Sequence, residues 1–207
     1  LVLYVTEGTF NTDDNNKLLG RVAKSMEVGG KQSKDRFIFV LNKVDGRKSE
    51  DGDLSQTLDK VRAHLKLHGI EKANLFPAAA LLALNIRLLD SGADLDDDTI
   101  DETGTAVRRF NREKNRDFHL EQYASLPASV RKNIQNKLEE AKKAKDANKE
   151  ALIHTGIPSI EAAIRQYVEK YAKSAKIKNI VDAFMHKVNE LGCVEKVKRD
   201  IAGNKEE

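Results

Sequence analysis

Phe37-Ile38-Phe39-Val40-Leu41-Asn42-Lys43-Val44-Asp45 is the stretch that organises this chain. Five apolar residues, mostly β-branched or aromatic, run straight into polar ones. An uninterrupted apolar run of that length reads as a strand buried on both faces. Its C-terminal end delivers Asn42, Lys43 and Asp45 to one rim of a sheet. Open parallel α/β sheets bind their ligands at that rim.

The neighbouring segments fit such a sheet. Leu1-Val2-Leu3-Tyr4-Val5 reads as a first strand. A polar loop follows, then a helix with Leu18, Leu19, Val22, Ala23 and Met26 on one face. Thr12 or Asp13 caps that helix and Gly29-Gly30 ends it. Residues 54–68 place Leu54, Leu58, Val61 and Leu65 at helical spacing, with Gly69 as the stop. Residues 73–80 read as a third strand and its exit loop. Strand, helix, strand, helix, strand with connections of this length predicts a parallel sheet with crossover helices, and so an α/β fold.

Asn42-Lys43-Val44-Asp45 after a buried strand matches the Asn-Lys-x-Asp guanine-recognition signature of GTPases. The chemistry suits it. A carboxylate accepts from both N1–H and the exocyclic amine of guanine, and adenine offers no matching pair of donors. On this resemblance Asp45 reads the base, Asn42 contacts N7 and ties neighbouring loops together, and the Lys43 stem covers the ring. The second guanine motif of that family is a Ser-Ala pair after the last strand. Here Ala79 and Ala80 occupy those positions. The backbone donor for guanine O6 is retained at Ala80, the serine hydroxyl is absent, and Leu81 stands where a lysine often follows. The plain alternative for this segment is an alanine-rich helix start packed in the core.

The composition limits the other classes. Of 207 residues, 40% are apolar and 33% charged, with no tryptophan, which describes a helix-rich chain with a modest core. A net charge of +3, evenly interspersed, gives no case for nucleic acid. Cys193 is the single cysteine, so no intrachain disulfide forms. No apolar run approaches the roughly 18 residues of a membrane span, and no signal peptide is visible. A cytoplasmic location, peripheral to membrane at most, is the expectation. The chain opens inside a strand without methionine, which points to a piece of a longer protein or a processed one.

Beyond Leu81 the chain departs from a small GTPase. Residues 81–89 are an apolar helical run. Residues 91–103 are acidic and read as a solvated loop; they lack the ligand spacing of an EF-hand. Asp101-Glu102-Thr103-Gly104 mimics the γ-phosphate motif Asp-x-x-Gly, but at the wrong place in the order. Residues 105–123 carry Arg108, Arg109, Arg112 and Arg116. Pro127 opens one long amphipathic helix over 128–153, with Val130, Ile134, Leu138 and Ala141 on one side and lysines on much of the rest. His154-Thr155-Gly156-Ile157-Pro158 breaks the chain before a helix with the stripe Ile160, Ala163, Ile164, Tyr167, Val168 and Tyr171. A further helix starts near residue 176.

The layout resembles the dynamin superfamily, bacterial dynamin-like proteins in particular. Leu3-Tyr4-Val5 through Thr12-Asp13-Asp14-Asn15 looks like the strand and loop after the family's Asp-x-x-Gly motif. Thr155-Gly156-Ile157-Pro158-Ser159-Ile160-Glu161 through Tyr167-Val168-Glu169-Lys170-Tyr171-Ala172 looks like the closing helix of its G domain. The resemblance implies a partial three-layer P-loop-NTPase-like G domain of about three parallel strands, with a large helical insertion and C-terminal helices. It divides the chain into a guanine-recognition half domain (1–85), an insertion (86–153), a closing helix (154–175) and the start of a stalk (176–207). It implies GTP or GDP as ligand, with magnesium in the full-length parent, and membrane lipid as the parent's partner.

No Gly-x-x-x-x-Gly-Lys-Ser/Thr occurs in the 207 residues. Gly29-Gly30-Lys31-Gln32-Ser33 comes nearest and has Gln32 in place of the hydroxyl. That loop supplies the backbone cradle, the lysine and the magnesium-binding hydroxyl, so this chain alone is not expected to hydrolyse GTP, and no catalytic residue is assigned. A bare edge at the first strand implies self-association. The competing reading is a non-enzymatic helical module that binds a partner protein or an anionic surface. A site built on His64, His68 or His119 lacks a third ligand at suitable spacing, and these are read as surface histidines, with no metal assigned.

Overall fold

The structure is a computed structural model that describes residues 1–7, 13–27, 36–47, 52–172, 179 and 181–187. The Thr12 cap, the Gly29-Gly30 stop and most of the helix read from residue 176 lie outside these residues. The chain is α/β. Strands β1 (Val2–Thr6), β2 (Phe37–Leu41) and β3 (Asn74–Pro77) form one parallel sheet in the order β1-β2-β3. Helices α1 (Asp13–Glu27) and α2 (Leu54–Leu67) lie between the strands in sequence. After β3 come α3 (Ala80–Asp90), α4 (Asp97–Phe110), α5 (Ala128–Ala144), α6 (Ala147–His154) and α7 (Ile157–Tyr167), which passes into a π-helical turn, Val168–Ala172.

The β2 side chains sort strictly by the two-residue period of a strand. Phe37, Phe39 and Leu41 join Tyr4, Leu75, Leu19 and Val22 of α1, and Leu54, Leu58 and Leu65 of α2. Ile38 and Val40 join Phe76, Ile134 and Leu138 of α5, and Ile160 of α7. None of the five exceeds 4% exposure. Helices therefore cover β2 on both faces, as the apolar run requires. β1 is different. Leu3 and Val5 sit beside Ile38 and Val40 in the register, yet they are 48% and 52% exposed. On this face the cover over β2 does not extend to the edge strand, whereas Tyr4, on the other face, is buried. At the opposite side a 3-10 turn, Leu120–Tyr123, packs against β3, and Ser125 Oγ donates to Leu75 O at 3.1 Å.

Two sequence expectations are corrected. The acidic segment 91–103 is not simply a loop: α4 begins inside it. Asp96 caps the helix, its carboxylate accepting from Thr99 N at 2.8 Å and Thr99 Oγ1 at 2.7 Å. These bonds hold the Asp96 carboxyl below its ordinary range. Asp97 and Asp98 occupy the first turn, where the helix dipole favours anions. The helix read over 128–153 is two helices. Lys145 takes a left-handed conformation (φ 54°) and closes α5, and Asp146 caps α6 by accepting from Lys149 N at 3.0 Å. The apolar period resumes in α6 with buried Ala151 and Ile153, which hides the break in the pattern.

Residues Leu1–Arg165 make one compact unit and Gln166–Glu207 a second. In the second, the Tyr167 and Tyr171 rings lie 5.2 Å apart, and Val181, Phe184 and Met185 are exposed. Among the described residues no helix is long and apolar enough to cross a membrane.

The turn before α7 clasps the exit of β3. Ala79 N donates to Thr155 O at 3.0 Å. Gly156 follows at φ +76°, and a Cβ there would overlap the Pro77 carbonyl oxygen and lie 3.2 Å from Leu120 Cβ. Gly92 has a similar φ of +74° but open space around it. Gly92→Ala is expected to cost about 1 kcal/mol, the left-handed penalty alone. Gly156→Ala is expected to cost about 3 kcal/mol or more, because backbone must also shift. Urea unfolding of the two variants checks this. Equal losses would contradict the close approach.

Candidate functional site

Three parallel strands bring their C-terminal tips to one rim. Backbone bonds lace the loops there. Asn42 N donates to Thr6 O at 2.7 Å, Ala78 N to Leu41 O at 2.8 Å, and Val44 N to Ala78 O at 3.2 Å. The loops after all three strands thus hold one another. Asn42, Lys43, Asp45, Ala79 and Ala80 all belong to these loops or to the first residue of α3.

Asn42 provides the main side-chain link. Its Oδ1 accepts from Ala80 N at 3.1 Å, and so caps the start of α3 across a gap of 38 residues in sequence. Ala79 is the formal cap residue and has no side chain to do this. The two motifs separated in the sequence are therefore joined directly. The same bond engages the amide that the family resemblance assigns to guanine O6. The amides of Leu81 and Leu82 are the next first-turn donors of α3, since Ala83 N already reaches Ala79 O.

Lys43 adopts φ 60°, a left-handed conformation. The chain turns sharply there into a 3-10 turn, Val44–Gly46, with Val44 buried in the core. Lys43 Nζ pairs with Glu7 Oε1 at 2.6 Å, both side chains more than half exposed, a geometry that contributes little to stability. Asp45 sits half-buried in the turn. Among the described residues none hydrogen-bonds its carboxylate. Ala78 and Ala79 are fully buried, so the alanine segment is core as well as rim.

Sequence reasoning missed Arg109. This residue comes from α4, and its Nη2 donates to Asp45 O at 2.7 Å. Its guanidinium lies 4.7 Å from the centre of the Phe118 ring, a favourable cation–π distance. The helical segment beyond β3 therefore buttresses the Asp45 turn. A cavity of about 720 Å³ opens beside it, with Arg47, Arg112, Lys114 and Arg116 in its wall along with Arg109, against Asp53 and Asp117. Its only sequence signal was the cluster of arginines, with nothing to say which one reached the strand tip.

No family model, no curated protein and no solved structure matches this chain.

The histidines also need a correction. The rings of His64, in the last turn of α2, and His68, its C-terminal cap, lie 4.9 Å apart and tilted by 58°, and no third ligand-type group joins them among the described residues. His119 is not a surface histidine: it is 7% exposed, enclosed by contacts that come from distant parts of the chain.

The Asn42 link gives a direct test. Asn42→Ala leaves the Ala80 N–H without its acceptor and is expected to cost about 1 kcal/mol. Asn42→Asp keeps an acceptor at the same place and is expected to retain most of the stability. Chemical denaturation measures both, and an unchanged midpoint for Asn42→Ala would contradict the link.

Proposed function

We propose that the rim formed by Asn42, Asp45 and the start of α3 receives the guanine base of GTP or GDP, as part of a dynamin-like GTPase whose phosphate-binding loop lies on another segment. The observation that supports this most is the Asn42–Ala80 bond. It draws the Asn-Lys-x-Asp tip and the position of the second guanine motif into one site, beside a half-buried Asp45 carboxylate.

Each group has a place in the chemistry. The Asp45 carboxylate accepts from N1–H and the exocyclic amine. The Lys43 stem lies over the ring, at the cost of its weak pair with Glu7. Guanine O6 takes its hydrogen bond from the positive end of α3, either by sharing Ala80 N–H with Asn42 or from Leu81 N–H. Arg109 keeps the turn in shape from behind. Membrane remodelling by the parent protein is part of the proposal and rests on the family resemblance alone.

Nothing in these residues cradles phosphates, so base contacts alone set the affinity. A dissociation constant near 1 mM, about −4 kcal/mol, is the expected scale, with no GTP hydrolysis. A second reading draws on the basic cavity: an anionic partner held by Arg47, Arg112, Lys114 and Arg116. That binding would be indifferent to the base and would weaken steeply with salt.

Exchanging the base acceptor separates the two. Asp45→Asn presents an amide donor where the carboxylate stood. It is expected to lose guanosine monophosphate and to favour xanthosine monophosphate, whose C2 carbonyl accepts, by about tenfold. Equilibrium dialysis with guanosine, xanthosine and adenosine monophosphates checks this. Equal binding of all three to both proteins would favour the anion reading. Micromolar GTP binding by this chain would contradict the expected millimolar scale.

A further inference from the structure

A second polar cluster lies at the end of α6, beside the turn that holds Ala79, and has no part in base recognition. His119, Glu121 and His154 are 7%, 6% and 1% exposed. Glu121 lies in the 3-10 turn Leu120–Tyr123, His119 is the residue before that turn, and His154 is the last residue of α6. His154 Nδ1 lies 3.0 Å from Glu121 Oε2. The His119 and His154 rings stack with centres 3.9 Å apart and planes 10° from parallel. On the other side of His154, Glu150 Oε1 is 3.9 Å from Nε2. Lys142 Nζ is 3.7 Å from Glu150.

The cluster is under-satisfied. Nε2 of His119 and Nε2 of His154 are both buried without a hydrogen-bond partner. Buried polar atoms are ordinarily paired; two stacked buried imidazoles, each with an orphaned Nε2, beside a buried carboxylate that His154 Nδ1 already meets, point to a cation. Burial, and then the neighbouring His154, hold His119 below the ordinary imidazole range.

We propose that His119, Glu121 and His154 bind one zinc ion. One ligand atom from each lies within 4.8 Å of the other two. His154 Nδ1 and Glu121 Oε2 are already close to ligand spacing, since arms of about 2.1 Å in a tetrahedron put ligand atoms about 3.4 Å apart. His119 completes the set by turning out of the stack, because the lone pairs of parallel rings do not converge. Binding through Nδ1 leaves His154 Nε2–H for Glu150. A ligating histidine held from behind by a carboxylate is the usual outer-shell arrangement, and it supplies the partner that Nε2 lacks. Imidazole and carboxylate together suit zinc among the common divalent ions. A cavity of about 160 Å³, walled in part by Glu121, Gln122 and Arg131, gives access from outside. The ion ties the end of α6, and so the Thr155 carbonyl that holds Ala79, to the turns after α4. The site is independent of the guanine reading.

The test uses the full chain stripped with a chelator. Cobalt(II) is titrated and followed by visible absorption, and zinc by calorimetry. The expected result is one equivalent bound with a micromolar or tighter constant, an intense tetrahedral-type cobalt spectrum, and a melting temperature raised by about 5 °C at a hundredfold excess over the dissociation constant. Glu121→Gln and His119→Gln, confirmed as folded by circular dichroism, are expected to bind more than about tenfold more weakly, and Glu150→Gln about tenfold more weakly. The double variant His64→Gln/His68→Gln is expected to bind as the wild type does. No uptake by the wild-type chain would overturn the proposal, whatever the variants do. So would undiminished binding by a folded Glu121→Gln or His119→Gln chain, or loss of binding in the His64/His68 variant.

Discussion

Burial of β2 on both faces is the constraint on which the rest of this structure depends. Three of its side chains belong to one core and two to the other. A slip of one residue would exchange the two sets. Each buried aliphatic or aromatic side chain contributes roughly 1.5–3 kcal/mol, so the register is held firmly. The residues after Leu41 inherit that precision. Asn42 emerges beside Thr6 and the loop after β3, and the turn at Lys43 returns Val44 to the core before Asp45.

The rim is not made by the strands alone. Gly156 allows the chain to pass against the Pro77 carbonyl, and Thr155 takes the Ala79 amide. Arg109 reaches across from α4 to the Asp45 backbone. Asp117, from the turn after α4, accepts from Leu54 N at 3.1 Å at the start of α2, where Asp53 is the formal cap but its side chain makes no capping bond. The helical segments between β3 and α7 thus brace the loops of the sheet. That arrangement accounts for helices and sheet sharing one compact unit, Leu1–Arg165.

The readable parts were those set by local pattern. The apolar run of β2, the helical spacing in α2 with its Gly69 stop at φ +85°, and the polar tip all announce themselves within a few residues. The unread parts depend on distant partners or on capping that leaves little trace. Lys145 ends a helix in a left-handed conformation without glycine or proline to mark it. Asp96 starts one within an acidic run that looks merely solvated. His119 looks like a surface residue until the end of α6 is folded over it. Arg109 is one arginine among several, and only the tertiary fold selects it. The alanines after β3 were legible as a position but not as a bond, because the Asn42 cap spans 38 residues.

Base choice by one carboxylate at the tip of the central strand is the core of the functional account. A nitrogen-15 amide map recorded with guanosine monophosphate and with adenosine monophosphate addresses it most directly. The account predicts that the guanine nucleotide alone shifts amides in residues 42–47 and 78–82. Equal shifts with both nucleotides, or shifts centred on Arg112, Lys114 and Arg116, would contradict it.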